Sequence, residues 1–112
     1  KLTDQKGIIL GGWTGLDEKH LEGEEDTEDL KAFSKENIFF IDSAAHEVLF
    51  PKCSVIVHHG GIGTTIAGIR SGRPCVVTPI FYDQFDSAMM VEKSGQGIGT
   101  EALPTLTPQT LA

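Results

Sequence analysis

Four short apolar runs recur along the chain, each followed by turn-forming residues and a segment of helical pattern. They are GIIL (Gly7 to Leu10), NIFFID (Asn37 to Asp42), SVIVHH (Ser54 to His59) and CVVTPI (Cys75 to Ile80). Runs that are apolar throughout, rather than at alternate positions, suit parallel strands covered on both faces. Helices are expected between them over Asp26 to Lys35, with Leu30 and Phe33 on one face, and over Ala44 to Phe50, stopped by Pro51. Two more are expected over Ile62 to Ser71, capped by Gly72, and over Asp83 to Ser94 before Gly95, with Phe85, Met89, Met90 and Val91 packing. This alternation predicts an α/β fold: a Rossmann-like parallel sheet with helices on both faces and right-handed crossovers.

Four strands make a thin sheet for 112 residues, 39% of them hydrophobic. Lys1 to Lys6 leads straight into a strand, and PTLTPQTLA breaks off as a helix begins at Pro108. Residues 1–112 are therefore expected to be part of a larger domain, cut at both ends. The net charge of −7 speaks against non-specific binding to nucleic acid or anionic membranes. The acidity is uneven, with 12 acids against 6 bases up to Ile56 and 4 against 3 thereafter. Its densest stretch, Leu21 to Leu30, reads as a solvated loop entering a helix. Cys53 and Cys75 have no metal-finger or CxxC spacing and adjoin apolar runs, as buried reduced thiols do. No run approaches the roughly 20 apolar residues of a membrane span, and no signal peptide opens the chain. A cytoplasmic location is expected, with any peripheral membrane association carried by regions outside this sequence.

Chemistry concentrates where the third run ends, at HHGGIGTTIAGIRSG (His58 to Gly72). Glycines at the carboxyl end of a strand let backbone approach a ligand and supply the positive φ of a tight turn. A helix starting there aims free amides and its positive dipole end at the same point, which makes an anion site suited to phosphate. Thr64 and Thr65 can add hydroxyl donors, and of His58 and His59 one should face the crevice and the other the opposite side of the sheet. A packing turn built of glycines is the plainer reading, but two histidines and two threonines at one junction exceed what packing requires.

Two familiar phosphate motifs do not fit. No lysine follows the last glycine of GGIGTT, which excludes a P-loop nucleoside triphosphatase. The third glycine of GxGxxG is replaced by Ile66, and Asp83 lies in a loop beyond the next strand, so NAD binding is the weaker alternative.

The segments HHGGIGTT and GIRSGRPCVVTPIFYDQ, with GGWTGL, NIFFIDSAAHEVLFPKCSVIVHHGG and YDQFDSAMMVEKSGQGIG, resemble the donor-binding half of inverting family-1 glycosyltransferases of the GT-B fold. The resemblance is nearest to the sterol and lipid glucosyltransferase branch and covers most of Ile8 to Gly99. It implies that His59 contacts the donor diphosphate, with Gly61, Gly63, Thr64 and Thr65 as backbone and hydroxyl donors. It also implies that Asp83 and Gln84 hydrogen-bond the sugar hydroxyls, a fit for a carboxylate that accepts and an amide that does both. Ser43 to His46, including Ala45, match the segment that reads uracil, and Gly12 and Trp13 match a turn flanking the donor. The sequence departs from the pattern at Ala44-Ala45 (usually Val-Pro), at Ser43 (tryptophan in plant relatives) and at Ala67 (glutamate in plant relatives).

By the same resemblance, the donor is a UDP-sugar, expected to be UDP-glucose, which serves as co-substrate rather than cofactor. No Asp-x-Asp pair is present, the acids of DQFD lying three apart, so a metal-independent reaction is expected. The implied acceptor is a sterol or lipid hydroxyl held by an N-terminal domain that would also carry the catalytic base, leaving no catalytic residue here and no activity in isolation. A nucleotide-sugar-binding subunit that needs a separate acceptor-binding partner is the non-enzymatic alternative.

Overall fold

A computed structural model describes residues 2–12, 15–23 and 27–112. Trp13 and the acidic residues Glu24 to Asp26, including the expected helix start, lie outside them. The chain divides into two compact units, residues 1–44 with Ala112, and Ala45–Leu111.

In the first unit, strand β1 (Gly7–Leu10) pairs in parallel with β2 (Ile38–Ile41), Gly7 opposite Ile38 and Leu10 opposite Ile41. The ladder continues beyond the strands, Gly11 N donating to Ile41 O and Gly12 N to Asp42 O at 2.9 Å. A side chain at Gly11 would come within 2.7 Å of the Leu16 carbonyl, so only glycine allows the chain to fold back there. Asp17 then opens a 3-10 turn, its carboxylate accepting from Lys19 N. Helix α1 (Thr27–Asn37) runs directly into β2. Its inward stripe is Leu30, Phe33, Ser34 and Asn37, the i, i+3, i+4, i+7 spacing of one helix face.

The second unit holds α2 (His46–Leu49), β3 (Ile56–His58), α3 (Ile62–Ser71), β4 (Cys75–Val77), α4 (Gln84–Lys93), β5 (Gly97–Gly99) and α5 (Pro108–Leu111). Its sheet is parallel, in the order β3-β4-β5, with Ile56 opposite Cys75 and Cys75 opposite Gly97. Phe50, Ile56, Cys75, Val77, Ala88 and Val91 form the core, with Ala67 and Ile69 of α3 packed against it. Cys53 and Cys75 are free thiols, and burial pushes the Cys75 thiol above its usual range.

The α/β class, parallel strands alternating with helices, is as expected, with one ladder described in each unit. Three details differ. A fifth strand, GIG, joins the second ladder. The sheets are not apolar-covered on both sides: Ile8, Phe39, Val57 and Ile98 are exposed. On α4, Phe85, Met89 and Met90 are exposed, while the buried stripe is Gln84, Ser87, Ala88 and Val91. The cause is close approach. A Cβ on Gly99 would sit 2.7 Å from the Ala88 Cβ, so the helix face lying on β5 has room only for small side chains.

Candidate functional site

At the carboxyl end of β3 the two histidines diverge. His58 Nδ1 accepts from Gly60 N at 3.1 Å, and its Nε2 is buried without a hydrogen-bond partner. Burial lowers the His58 pKa to about 4, with His59 and then His46 adding to the shift. The ring is thus neutral near pH 7, with the proton on Nε2 because Nδ1 is the acceptor. His59 is exposed. Its ring lies over Gly61, where an added Cβ would meet Nε2 at 2.9 Å.

Between them the chain turns on Gly60, at φ +97°. A side chain here would meet the Gln84 carbonyl and Val77 Cγ1, both at 3.0 Å. The glycine turn is therefore packed directly against the start of α4. Gly61 N-caps α3 without any side-chain cap, so the first-turn amides depend on an outside acceptor. Gly63 and Thr64 lie in that turn, and nothing would crowd a Cβ on Gly63.

Thr65 differs from expectation. It is fully buried, and both its amide, at 2.9 Å, and its hydroxyl, at 3.0 Å, donate to the Gly61 carbonyl. It braces the turn from within instead of offering a hydroxyl outward. Gln84 is likewise committed: its Oε1 accepts from Ile80 N at 2.7 Å and Phe81 N at 3.2 Å, so only the NH2 remains to meet a ligand. Asp83 is exposed at the N-cap of α4, and its side chain caps nothing. Tyr82, just before it, holds φ +50°, an uncommon conformation for an aromatic residue that turns the loop toward the acid–amide pair.

The remaining expected residues fall on both sides of the unit boundary. Gly12, at φ +52°, and exposed Ser43 belong to the first unit. Ala45 and His46 begin the second, Ala45 as the N-cap of α2 and His46 stacked on Phe50 with ring centroids 4.5 Å apart. Sequence reasoning passed over Glu47, next to His46, which lines a cavity between α2 and α3. The available signal was its isolation: it is the only acid between Asp42 and Asp83. Among the described residues, no group of three or more His, Cys, Asp or Glu could hold a metal ion.

Parallel strands that hand over to helices at a glycine turn, with the next helix start packed against that turn, make an α/β arrangement shared with glycosyltransferases among the solved structures. Residues 16–112 match the erythromycin biosynthesis protein CIII-like C-terminal domain, and the chain belongs to that family. It is 37% identical to the sterol 3-beta-glucosyltransferase UGT80B1 of Arabidopsis thaliana over 112 residues, all of this chain and 16% of that protein. With the sterol 3-beta-glucosyltransferase of Saccharomyces cerevisiae (strain YJM789) it shares 50% identity over 76 residues, 68% of this chain and 6% of that one. The chain thus spans a small part of the length of these relatives. Among solved structures it is similar to the glycotransferase of kitacinnamycin, with TM-score 0.69 and 26% identity over 93% of this chain and 24% of that one. The fold is also shared with the glycosyltransferase VinC in complex with DTDP, at TM-score 0.65 and 24% identity over 97% of this chain and 32% of that one.

Proposed function

We propose that this chain binds the donor, UDP-glucose, of an inverting, metal-independent glycosyltransferase that glycosylates a sterol or lipid hydroxyl. The observation that carries the reading is the contact of Gly60 with Gln84, which brings the uncapped start of α3 and the Asp83–Gln84 pair to one place. A diphosphate at the α3 amides leaves its sugar within reach of a free carboxylate and an amide donor. Sterol 3-beta-glucosyltransferases among the relatives support the sugar and the acceptor class.

In such a transfer the acceptor hydroxyl attacks the anomeric carbon as the nucleoside diphosphate leaves, and negative charge builds on the departing phosphates. Donors fixed in advance at that charge are worth more than donors that must reorganise. Here these are the α3 amides, Gly61 and Gly63 among the residues framing them, and the His59 imidazole. By the resemblance to the family, the base and the acceptor pocket are assigned to an N-terminal domain, and this chain alone is expected to transfer nothing.

Calorimetric titration with UDP, UDP-glucose and NAD tests the reading. UDP-glucose should bind more tightly than UDP, and NAD should not compete. His59→Ala should weaken both nucleotides by about 1.5–3 kcal/mol, the range for a hydrogen bond to a charged group. Asp83→Ala should spare UDP and remove the extra affinity for UDP-glucose. Wild-type affinity in both variants would reject the site.

A further inference from the structure

Strand β3 ends on His58, whose Nδ1 accepts from Gly60 N at 3.1 Å. The other ring nitrogen, Nε2, therefore carries the proton. It is buried and has no hydrogen-bond partner among the described residues. It faces Gly68 of α3, where an added Cβ would meet Nε2 at 3.8 Å and the Cys75 Sγ at 2.8 Å. A buried donor left unpaired lowers stability, and an apolar side chain of similar size would avoid that cost. Packing alone therefore does not select histidine here, and its use lies in the bond that Nδ1 makes.

That bond falls one residue before Gly61, the N-cap of α3. A helix start is ordinarily fixed by a cap side chain that accepts from the first-turn amides. Such a cap would occupy the amides that an anion needs, and Gly61 provides none. The N-cap is instead held from both sides. Thr65 donates to its carbonyl through both amide and hydroxyl. On the strand side stands Gly60, at φ +97°, with the freest backbone of the turn, and the bond to its amide selects one conformation. We propose that His58 is a positioning residue for the donor diphosphate: by holding the Gly60 amide it fixes the start of α3 while leaving the α3 amides free. This role rests on the donor-site reading above, and in it His58 acts on the ligand only through the turn.

Titration of the protein with UDP and inorganic pyrophosphate, paired with urea denaturation, separates positioning from plain stability. His58→Leu removes the acceptor and the unpaired Nε2–H together, trading one unsatisfied buried donor for another at Gly60. Its urea midpoint should stay close to wild type. Both ligands should bind it about tenfold more weakly, the scale of one hydrogen bond to a charged group. His58→Asn, whose amide oxygen can take the Gly60 N–H, should recover most of that affinity. Wild-type affinity in folded His58→Leu overturns the proposal, as does a loss that His58→Asn fails to recover. Ring 15N shifts of wild type give a reading that needs no variant. They should show the proton on Nε2, and a His58 ring protonated at Nδ1 instead would end the proposal by itself. If His59→Ala weakens UDP binding and His58→Leu does not, the positioning role falls and the donor site stands. If wild type binds neither UDP nor pyrophosphate, the two fall together.

Discussion

The Nε2 atom of His58 is buried without a hydrogen-bond partner, while His59, one residue on, is exposed. Alternation along a strand makes that division legible in the sequence, and the motif alone points to His59. The roles of Thr65 and Gln84 were not legible, because they depend on which neighbouring backbone groups come within reach once the turn has closed. His58 also carries a consequence for pH. Its pKa is about 4 folded and near 6.5 as an ordinary imidazole, so between those values the unfolded chain binds the extra proton. The neutral ring's contribution to stability is complete above about pH 6.5 and is lost as the pH falls toward 4. His58→Asn, whose amide oxygen can replace Nδ1 as acceptor for Gly60 N, has nothing to titrate. Thermal unfolding from pH 7 to 4 should show a steeper loss in wild type than in the variant. Parallel curves would mean that the buried imidazole is not the cause.

At the scale of elements, the long apolar runs announced β1 to β4 and the glycine junction announced α3. Strand β5 escaped because GIG has no side chains with which to signal a strand, yet those absences are why it fits. A Cβ on Gly97 would collide with the Cys75 carbonyl, and one on Gly99 with Ala88. The same closeness moved the packing face of α4 away from its large residues. Hydrophobicity pointed to Phe85, Met89, Met90 and Val91; of these Val91 alone is buried, and steric room admitted Gln84, Ser87 and Ala88 beside it. Gly99→Ala should therefore cost about 1–3 kcal/mol by overpacking. Met89→Ala, which removes an exposed side chain and gains helix propensity, should stay within about 0.5 kcal/mol of wild type. Urea denaturation midpoints decide it, and a Met89→Ala penalty larger than that of Gly99→Ala would place the packing face where hydrophobicity alone puts it.

Across the whole molecule, continuous apolar strands suit cover on both sheet faces, and among the described residues each sheet carries exposed apolar side chains on adjacent strands. Ile8, 44% exposed, stands opposite Phe39, 65% exposed, in the first sheet. In the second, Val57, 51% exposed, aligns through Val76 with Ile98, 57% exposed. Apolar residues side by side on adjacent strands form a continuous patch, and such patches on soluble chains mark surfaces that are covered in use. The strand pattern was legible because runs that are apolar throughout suit such cover, whereas among the described residues these side chains are exposed. In isolation the chain should bind 8-anilinonaphthalene-1-sulfonate while folded and should self-associate as its concentration rises. Val57→Thr with Ile98→Thr keeps β-branched side chains on the strand positions while making the patch polar. The double variant should bind less dye and sediment as a monomer over a wider concentration range, with far-UV circular dichroism unchanged. A wild-type chain that stays monomeric and dye-free throughout that range would show that these rows are not an open apolar face in solution.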